Sequence, residues 1–316
     1  MIVRPDPDKL LAGELGTWLA SQNDSRIEAK AKAMQRFKWG VIAAGVVAAA
    51  ITLFTGNIGA ALKFGFAIGA LGYGWGELAK RPVVQRIKGG INEAIAHALD
   101  MEYTATVEPG EEFTRAKAFE MLPGYDRCSF EDCWRGILDD RSFELYEGKL
   151  EVRSGDKNQS WRTVFGGSVI TVGFARRFLG TTLIERAGRR KSFFGLGGEK
   201  EEITLNGLRL HRVDMVDPRF AEEFAVWSDD GVEGRYLVHP EYIERLMAIE
   251  QAFSGDKIRA LFCGGDLLIL LETGNLFESG SIEASDDRRL LEQTIEQFGA
   301  LADLAERLNE RPRGNA

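Results

Sequence analysis

The chain has 316 residues, 44% of them hydrophobic and 28% charged, with 40 lysines and arginines against 48 acids for a net charge of −8. That length supports one large or two modest cores, and 10% aromatic residues exclude a mainly disordered chain. The acidic balance argues against a general nucleic-acid binder, and three cysteines are too few for a disulfide framework, so they read as reduced cytosolic thiols.

Residues 1–37 read as an N-terminal amphipathic helical region. Leu10, Leu11, Leu15, Trp18 and Leu19 follow helical spacing, with Asp8 placed to cap the start. Asp24 or Ser25 is placed to cap a second helix that runs on into apolar sequence. The first helix has two possible seats, a membrane surface or the cytoplasmic domain, and the second is preferred.

Residues 38–78 carry the apolar excess. From Trp39 to Leu62 there is no charged residue, a run of 24, and a bilayer core needs about 20 apolar residues in a helix. A second run extends from Ile58 to Trp75, broken only by Lys63, and Thr55-Gly56-Asn57 forms a turn between the two. The expectation is a two-helix transmembrane hairpin with spans near 38–56 and 58–77. One span plus an interfacial segment is the alternative, because Lys63 must snorkel. A cleaved signal peptide fits poorly, since the run starts late and is long. Lys30, Lys32, Arg36 and Lys38 precede it and Lys80, Arg81, Arg86 and Lys88 follow it, which places both termini in the cytoplasm. Gly65, Gly69, Gly72 and Gly76 form two small-xxx-small pairs. Packing inside the hairpin is preferred for them over self-association.

Residues 79–99 read as a juxtamembrane linker with breaks at Pro82 and Gly89-Gly90 and a short helix over 91–100. Residues 100–309 read as a cytoplasmic α+β domain with an antiparallel sheet and packed helices, and 310–316 as a disordered tail. Within the domain, 116–122 is a helix stopped by Pro123-Gly124, and 143–152 is a hairpin turning at Glu147-Gly148-Lys149. Residues 161–165 and 168–174 are strands kinked at Gly166-Gly167; 181–185 and 208–216 are further strands. Asp217-Pro218 opens a helix covering Phe220 and Phe224, 232–238 is a strand, and His239-Pro240 starts a helix. Residues 257–263 and 267–272 flank a Gly264-Gly265-Asp266 hairpin turn, and 286–308 is a long amphipathic helix.

Several stretches carry a resemblance. Tyr125-Asp126, Glu131-Asp132 and Gly136 form an early block, and Val164–Gly167, Phe174 and Arg177–Thr182 a central strand pair. The most specific run is Val216–Asp230, followed by Glu233–Leu237, with Leu276-Phe277-Glu278 near the end. From about 100 to 308 this order resembles a family of uncharacterised bacterial membrane-anchored proteins often encoded near LemA-type proteins. Gly234 and Gly167 depart from the family's pattern. The resemblance implies a multi-pass protein of the bacterial inner membrane and carries no activity or catalytic residue with it.

Motif chemistry is sparse. The phosphate loop, the nucleophile elbow and the zincin helix are absent from the sequence. Cys128, Cys133 and Cys263 with three histidines do not meet zinc spacing, so no metal and no cofactor is expected. Glu131-Asp132 and Asp139-Asp140-Arg141 are acidic clusters that can share a proton or take a cation, but solvated turns and helix caps are the preferred reading. Arg186, Arg189, Arg190, Lys191, Phe193 and Phe194 join positive charge to aromatic rings in a glycine-rich loop, a candidate contact for anionic lipid or a partner. A solvated hairpin connection is the plainer reading of that loop. Arg235, placed in a strand, with Asp229 and Glu233 forms an alternative ligand pocket.

The expectation is a non-enzymatic scaffold or adaptor held by two membrane spans, engaging a membrane-protein partner or self-associating, with no nucleic acid. An enzyme or ligand sensor built around Arg235, Asp229 and Glu233 is the alternative.

Overall fold

The computed structural model describes residues 4–138, 141–155, 160–174, 177–190, 200–214, 218–237, 240–253 and 255–309. They fall into two compact units, one formed by 5–94 with 278–293 and the other by 95–277 with 1–4 and 294–316.

The first unit is helical. Asp6 caps α1 (Pro7–Ala12) by accepting from the Asp8 N–H, and α2 (Glu14–Ser21) follows. The chain then enters α3 (Asn23–Thr55), turns at Gly56 with φ 65°, and returns as α4 (Ile58–Ala98). Asn57 caps the return helix, its side chain accepting from Ala60 N–H at 2.9 Å. Contacts pair Gly40 with Gly72, Ala33 with Gly76 and Ala48 with Gly65, so the two helices lie side by side and antiparallel. A helical stretch over Glu14–Thr55 is long and apolar enough to cross a membrane by length and composition. The same criterion does not select α4, where Lys63 and interspersed glycines dilute the apolar run. Among the described residues, one span rather than two therefore has this support.

The expected breaks after the hairpin are not there. Pro82 sits inside α4, at the cost of one ladder hydrogen bond, and the helix continues through Gly89-Gly90. A side chain at Gly90 would strike the Trp18 ring, with its Cβ 2.3 Å from a ring carbon. The glycine therefore makes room for α2, whose Leu15 and Leu19 are buried, and Asp8 of α1 accepts from Arg288 at 2.7 Å. Arg26, 2% exposed, bonds Asp287 at 2.5 Å, and Ser279 donates to Asn92 at 2.8 Å.

The second unit is the α+β domain. In chain order its elements are β1 (Met101–Thr106), α5 (Glu111–Ala118), β2 (Arg127–Leu138), β3 (Arg141–Arg153), β4 (Trp161–Gly173) and β5 (Thr182–Arg186). Then come β6 (Glu202–Leu205), β7 (Leu208–Arg212), α6 (Pro218–Glu223), β8 (Phe224–Ser228), α7 (Gly231–Leu237) and α8 (Pro240–Ala252). They end with β9 (Asp256–Cys263), β10 (Asp266–Glu272) and α9 (Asp287–Asn309), whose first turns belong to the helical unit. Among the described residues the strands form one sheet in the order β1-β2-β3-β4-β10-β9-β5-β8-β7-β6, and every described pairing is antiparallel.

Alternation along the strands sorts side chains to two faces. One face buries Tyr146, Leu150, Phe165, Val169 and Leu270 with Phe113 and Ala116 of α5. The other carries Trp134, Phe143 and Leu145, covered by Phe277 and Phe298, with Trp134 and Phe298 ring centres 4.9 Å apart.

Several expected elements are corrected. The expected 143–152 hairpin is one continuous strand, β3, and Gly148 lies under the Phe130 ring instead of turning the chain. Gly166-Gly167 does not divide β4; a Cβ on Gly167 would sit 2.0 Å from the Leu271 carbonyl oxygen, so the glycine permits close pairing with β10. The helix from Pro218 stops at Glu223, and Phe224 begins a fully buried strand. Val232–Leu237 is helical, because the Asp230 carboxylate accepts from Val232 and Glu233 N–H and caps α7. The 257–263 and 267–272 hairpin is present as β9 and β10.

Candidate functional site

The polar feature of the sheet grows from a bulge. Glu131 pairs with Glu147, but the next pairing joins Trp134 to Leu145, so β2 holds one extra residue. Asp132 occupies it with φ 54°, a conformation aspartate tolerates better than most residues. The bulge turns a carboxylate into the sheet that regular alternation would not place there. Asp132 is 2% and Glu147 5% exposed, while Glu131 is open to solvent. Oxygen atoms from all three carboxylates lie within 4.8 Å of one another.

Each buried carboxylate has a donor. Tyr103 Oη donates to Asp132 Oδ1 at 2.6 Å, and the Leu276 N–H donates to Glu147 Oε1 at 2.7 Å. Beside them opens a cavity of about 360 Å³ lined by Ser129, Lys149, Thr163, Thr273 and Asn275 together with Glu131 and Glu147. Strand register explains the gathering, since Ser129, Glu131, Glu147 and Lys149 alternate onto one face. Three carboxylates at this spacing offer oxygen ligands of the kind a hard cation takes. The acidic Glu131-Asp132 pair therefore stands in a strand, with one member buried, and not in a solvated turn. Asp139 and Asp140 lie outside the described residues.

The basic loop is used differently from the expectation. Glu185, fully buried, takes Arg190 Nε at 2.6 Å and Arg189 Nη1 at 3.2 Å. Arg190 also bonds Glu120 at 2.9 Å, and Arg189 donates to the Glu120 carbonyl at 2.6 Å. Arg186 bonds Glu223 and Glu250 and lies over the Phe224 ring at 4.4 Å. These three arginines fasten the end of β5 to its surroundings. Lys191, Phe193 and Phe194 lie outside the described residues.

The alternative pocket does not assemble as expected. Asp229 accepts from Thr181 N–H at 2.6 Å and Glu233 from Gly180 N–H at 2.8 Å, so both carboxylates hold the turn before β5. Arg235 stands exposed on α7, not buried in a strand. Gly65, Gly72 and Gly76 face α3 within the helix pair, whereas a Cβ at Gly69 would meet open space.

Residues 163–310 match a family described as "Protein of unknown function (DUF3137)". A DUF3137 domain of unknown function thus occupies the chain from β4 to the end of α9. This bears out the expected likeness to an uncharacterised family over that stretch; the early block with Glu131-Asp132 and Gly136 precedes it, and neither membrane anchoring nor LemA association follows from it. The DUF3137 region includes the arginines around Glu185 and the Asp229–Glu233 turn, while all three carboxylates of the acidic cluster precede it. No curated protein matches the sequence. Among solved structures, the crystal structure of the mycobacterial trehalose monomycolate transport factor A, TtfA, matches with a TM-score of 0.37 and 10% identity, covering 72% of this chain and 99% of that one.

Proposed function

We propose that this chain is a non-enzymatic scaffold of the bacterial inner membrane, anchored by α3 and α4 as two spans with both termini in the cytoplasm. It presents its α+β domain to a membrane-protein partner. The observation that supports the anchor is the outward face of the helix pair. Leu53, Phe54, Phe66 and Leu71 are 83%, 89%, 81% and 73% exposed, an arrangement water disfavours and lipid accepts. Lys63 stands near the turn, where its stem reaches the far interface. Trp39, Tyr73 and Trp75 stand at the near one.

Affinity purification from membranes in gentle detergent tests the adaptor role. A stoichiometric second membrane protein supports it, and recovery of the chain alone contradicts it.

The cavity beside Glu131 and Glu147 favours a second reading, a sensor for a small polar ligand, at a different place from the Arg235 pocket. A thermal-shift screen of small cationic and polar ligands checks this, with the response lost in Lys149→Ala and Thr163→Val. A screen without any response counts against it.

A further inference from the structure

Three neighbouring strands carry one polar row. Glu131 of β2 pairs with Glu147 of β3, and Glu147 pairs with Ser168 of β4. Directly paired residues of antiparallel strands stand on one face, with Cβ atoms about 4.5–5.5 Å apart. The β2 bulge brings Asp132 to the same place, with oxygen atoms of all three carboxylates within 4.8 Å of one another.

Ser168 is what sets this row apart from a plain acidic cluster. It is 0% exposed, and among the described residues its Oγ has no hydrogen-bond partner. A hydroxyl sealed from water normally finds one, because leaving it unmade is costly. The next positions along this face of β4 are Ile170 and Val172, both buried, so the serine breaks an apolar pattern at the position opposite Glu147. The Thr273 hydroxyl oxygen, on the wall of the adjoining cavity, is likewise buried and without a partner among the described residues.

The donor set is all oxygen, which suits calcium or magnesium and not zinc, whose protein sites draw on sulfur and nitrogen. The Tyr103 hydroxyl and the Leu276 N–H orient Asp132 and Glu147 and carry no charge of their own. Oxygens held roughly 2.3–2.6 Å from one calcium ion lie at most about 5 Å apart, and these carboxylates lie inside that span. Register fixes the side chains on three strands, and calcium accepts such an irregular shell where magnesium demands a near-ideal octahedron. The cavity of about 360 Å³ beside Glu131 and Glu147 gives an ion its entry and water for its open positions.

We propose that Glu131, Asp132 and Glu147 bind one calcium ion, with Ser168 Oγ as a neutral ligand. The ion ties the β2 bulge to β3 and β4. Ser168 and Leu276 lie within the DUF3137 stretch, so the site joins that stretch to the strands before it. The inference goes beyond both readings above, since it depends neither on a membrane anchor nor on a small polar ligand in the cavity.

The test uses the full chain in detergent, stripped with a chelator. Calorimetric titration with calcium chloride reads stoichiometry and affinity, and terbium serves as a luminescent calcium mimic. Tyr103, bonded to Asp132 and 5.1 Å from the Trp134 ring, is placed to sensitise it. The expected result is one calcium ion per chain, terbium emission displaced by calcium, and affinity lowered about tenfold or more in Glu131→Gln and by a smaller factor in Ser168→Ala. Glu131 is exposed, so its variant keeps the fold. Ser168→Ala removes an unpartnered hydroxyl, so without calcium it is at least as stable as the native chain. Lys149→Ala and Thr163→Val keep the calcium response. Absence of calcium uptake, tighter binding of magnesium than of calcium, or unchanged affinity in either Glu131→Gln or Ser168→Ala overturns the inference. A polar-ligand response without calcium uptake sinks the cation site alone, while calcium uptake with a silent organic-ligand screen supports the cation site and leaves the small-ligand reading without support.

Discussion

Gly40 and Gly72 meet backbone to backbone across the α3–α4 pair, so close that a Cβ on Gly72 would lie 2.6 Å from the Gly40 Cα. No side chain larger than hydrogen fits there without separating the helices. Gly72→Leu is expected to destabilise the pair by about 1–3 kcal/mol, the usual cost of overpacking. Gly69→Ala meets open space, and alanine's better helix propensity gives no change or a gain of up to about 1 kcal/mol. Helix unfolding followed by circular dichroism in detergent separates the two. Equal effects would mean that the helices do not touch at Gly72.

A different outcome is expected at Glu185. Its side chain is fully buried between Arg189 and Arg190, whose side chains are 28% and 12% exposed. Reversing both charges puts two carboxylates beside a third that water does not reach. Arg189→Glu/Arg190→Glu should lose about 3–5 kcal/mol of domain stability, the range for breaking a buried pair. Urea denaturation measures this. An unchanged midpoint together with weakened binding to anionic vesicles would make these arginines a lipid-facing patch.

Alkaline pH should act through Cys133 and Tyr146. Burial, more than any neighbour, pushes the Cys133 thiol from 9.0 up to about 11, and the adjacent Glu144 carboxylate adds to it. Tyr146 is raised as well, by burial first and then by Glu112, to which its hydroxyl donates at 3.0 Å. Both folded-state values lie above the unfolded ones, so the neutral forms favour the fold. The thiol's contribution, about 3 kcal/mol, is complete below about pH 9 and is lost as pH rises toward 11, and the tyrosine's begins to fall only above pH 10. Stability measured against pH should be level to pH 9 and then fall, less steeply in Cys133→Ala. At pH 8, iodoacetamide should modify exposed Cys128 and spare Cys133 until the chain unfolds. Comparable labelling of both thiols would contradict the burial.

What the sequence made legible depended on whether a signal was local. The Gly264-Gly265-Asp266 turn, the amphipathic α9 and the Thr55-Gly56-Asn57 reversal depend on nearby residues, and all three are present. Glycines used for distant packing misled. Gly148 looked like a turn but makes room for Phe130, and Gly167 looked like a kink but admits the Leu271 carbonyl. Asn206-Gly207 between β6 and β7 was a readable hairpin turn that the single 208–216 strand passed over. The Asp230 cap with Glu233 three residues on was a readable start for α7. The acidic cluster was half visible. Glu131-Asp132 stands out in the sequence, but only a bulge in β2 and the register with β3 bring Glu147 to it. No spacing rule reports that partnership.

The proposed two-span anchor is tested most directly by where the turn between α3 and α4 emerges. Cys128, Cys133 and Cys263 are replaced, and single cysteines are introduced as Asp24→Cys, Asn57→Cys and Glu102→Cys, all at exposed positions. Sealed vesicles of known orientation are then treated with a membrane-impermeant maleimide. Two spans predict that positions 24 and 102 label from one side and position 57 only from the other. Labelling of 57 from the same side as 24 would contradict the anchor, and labelling of 24 and 102 from opposite sides would leave a single span.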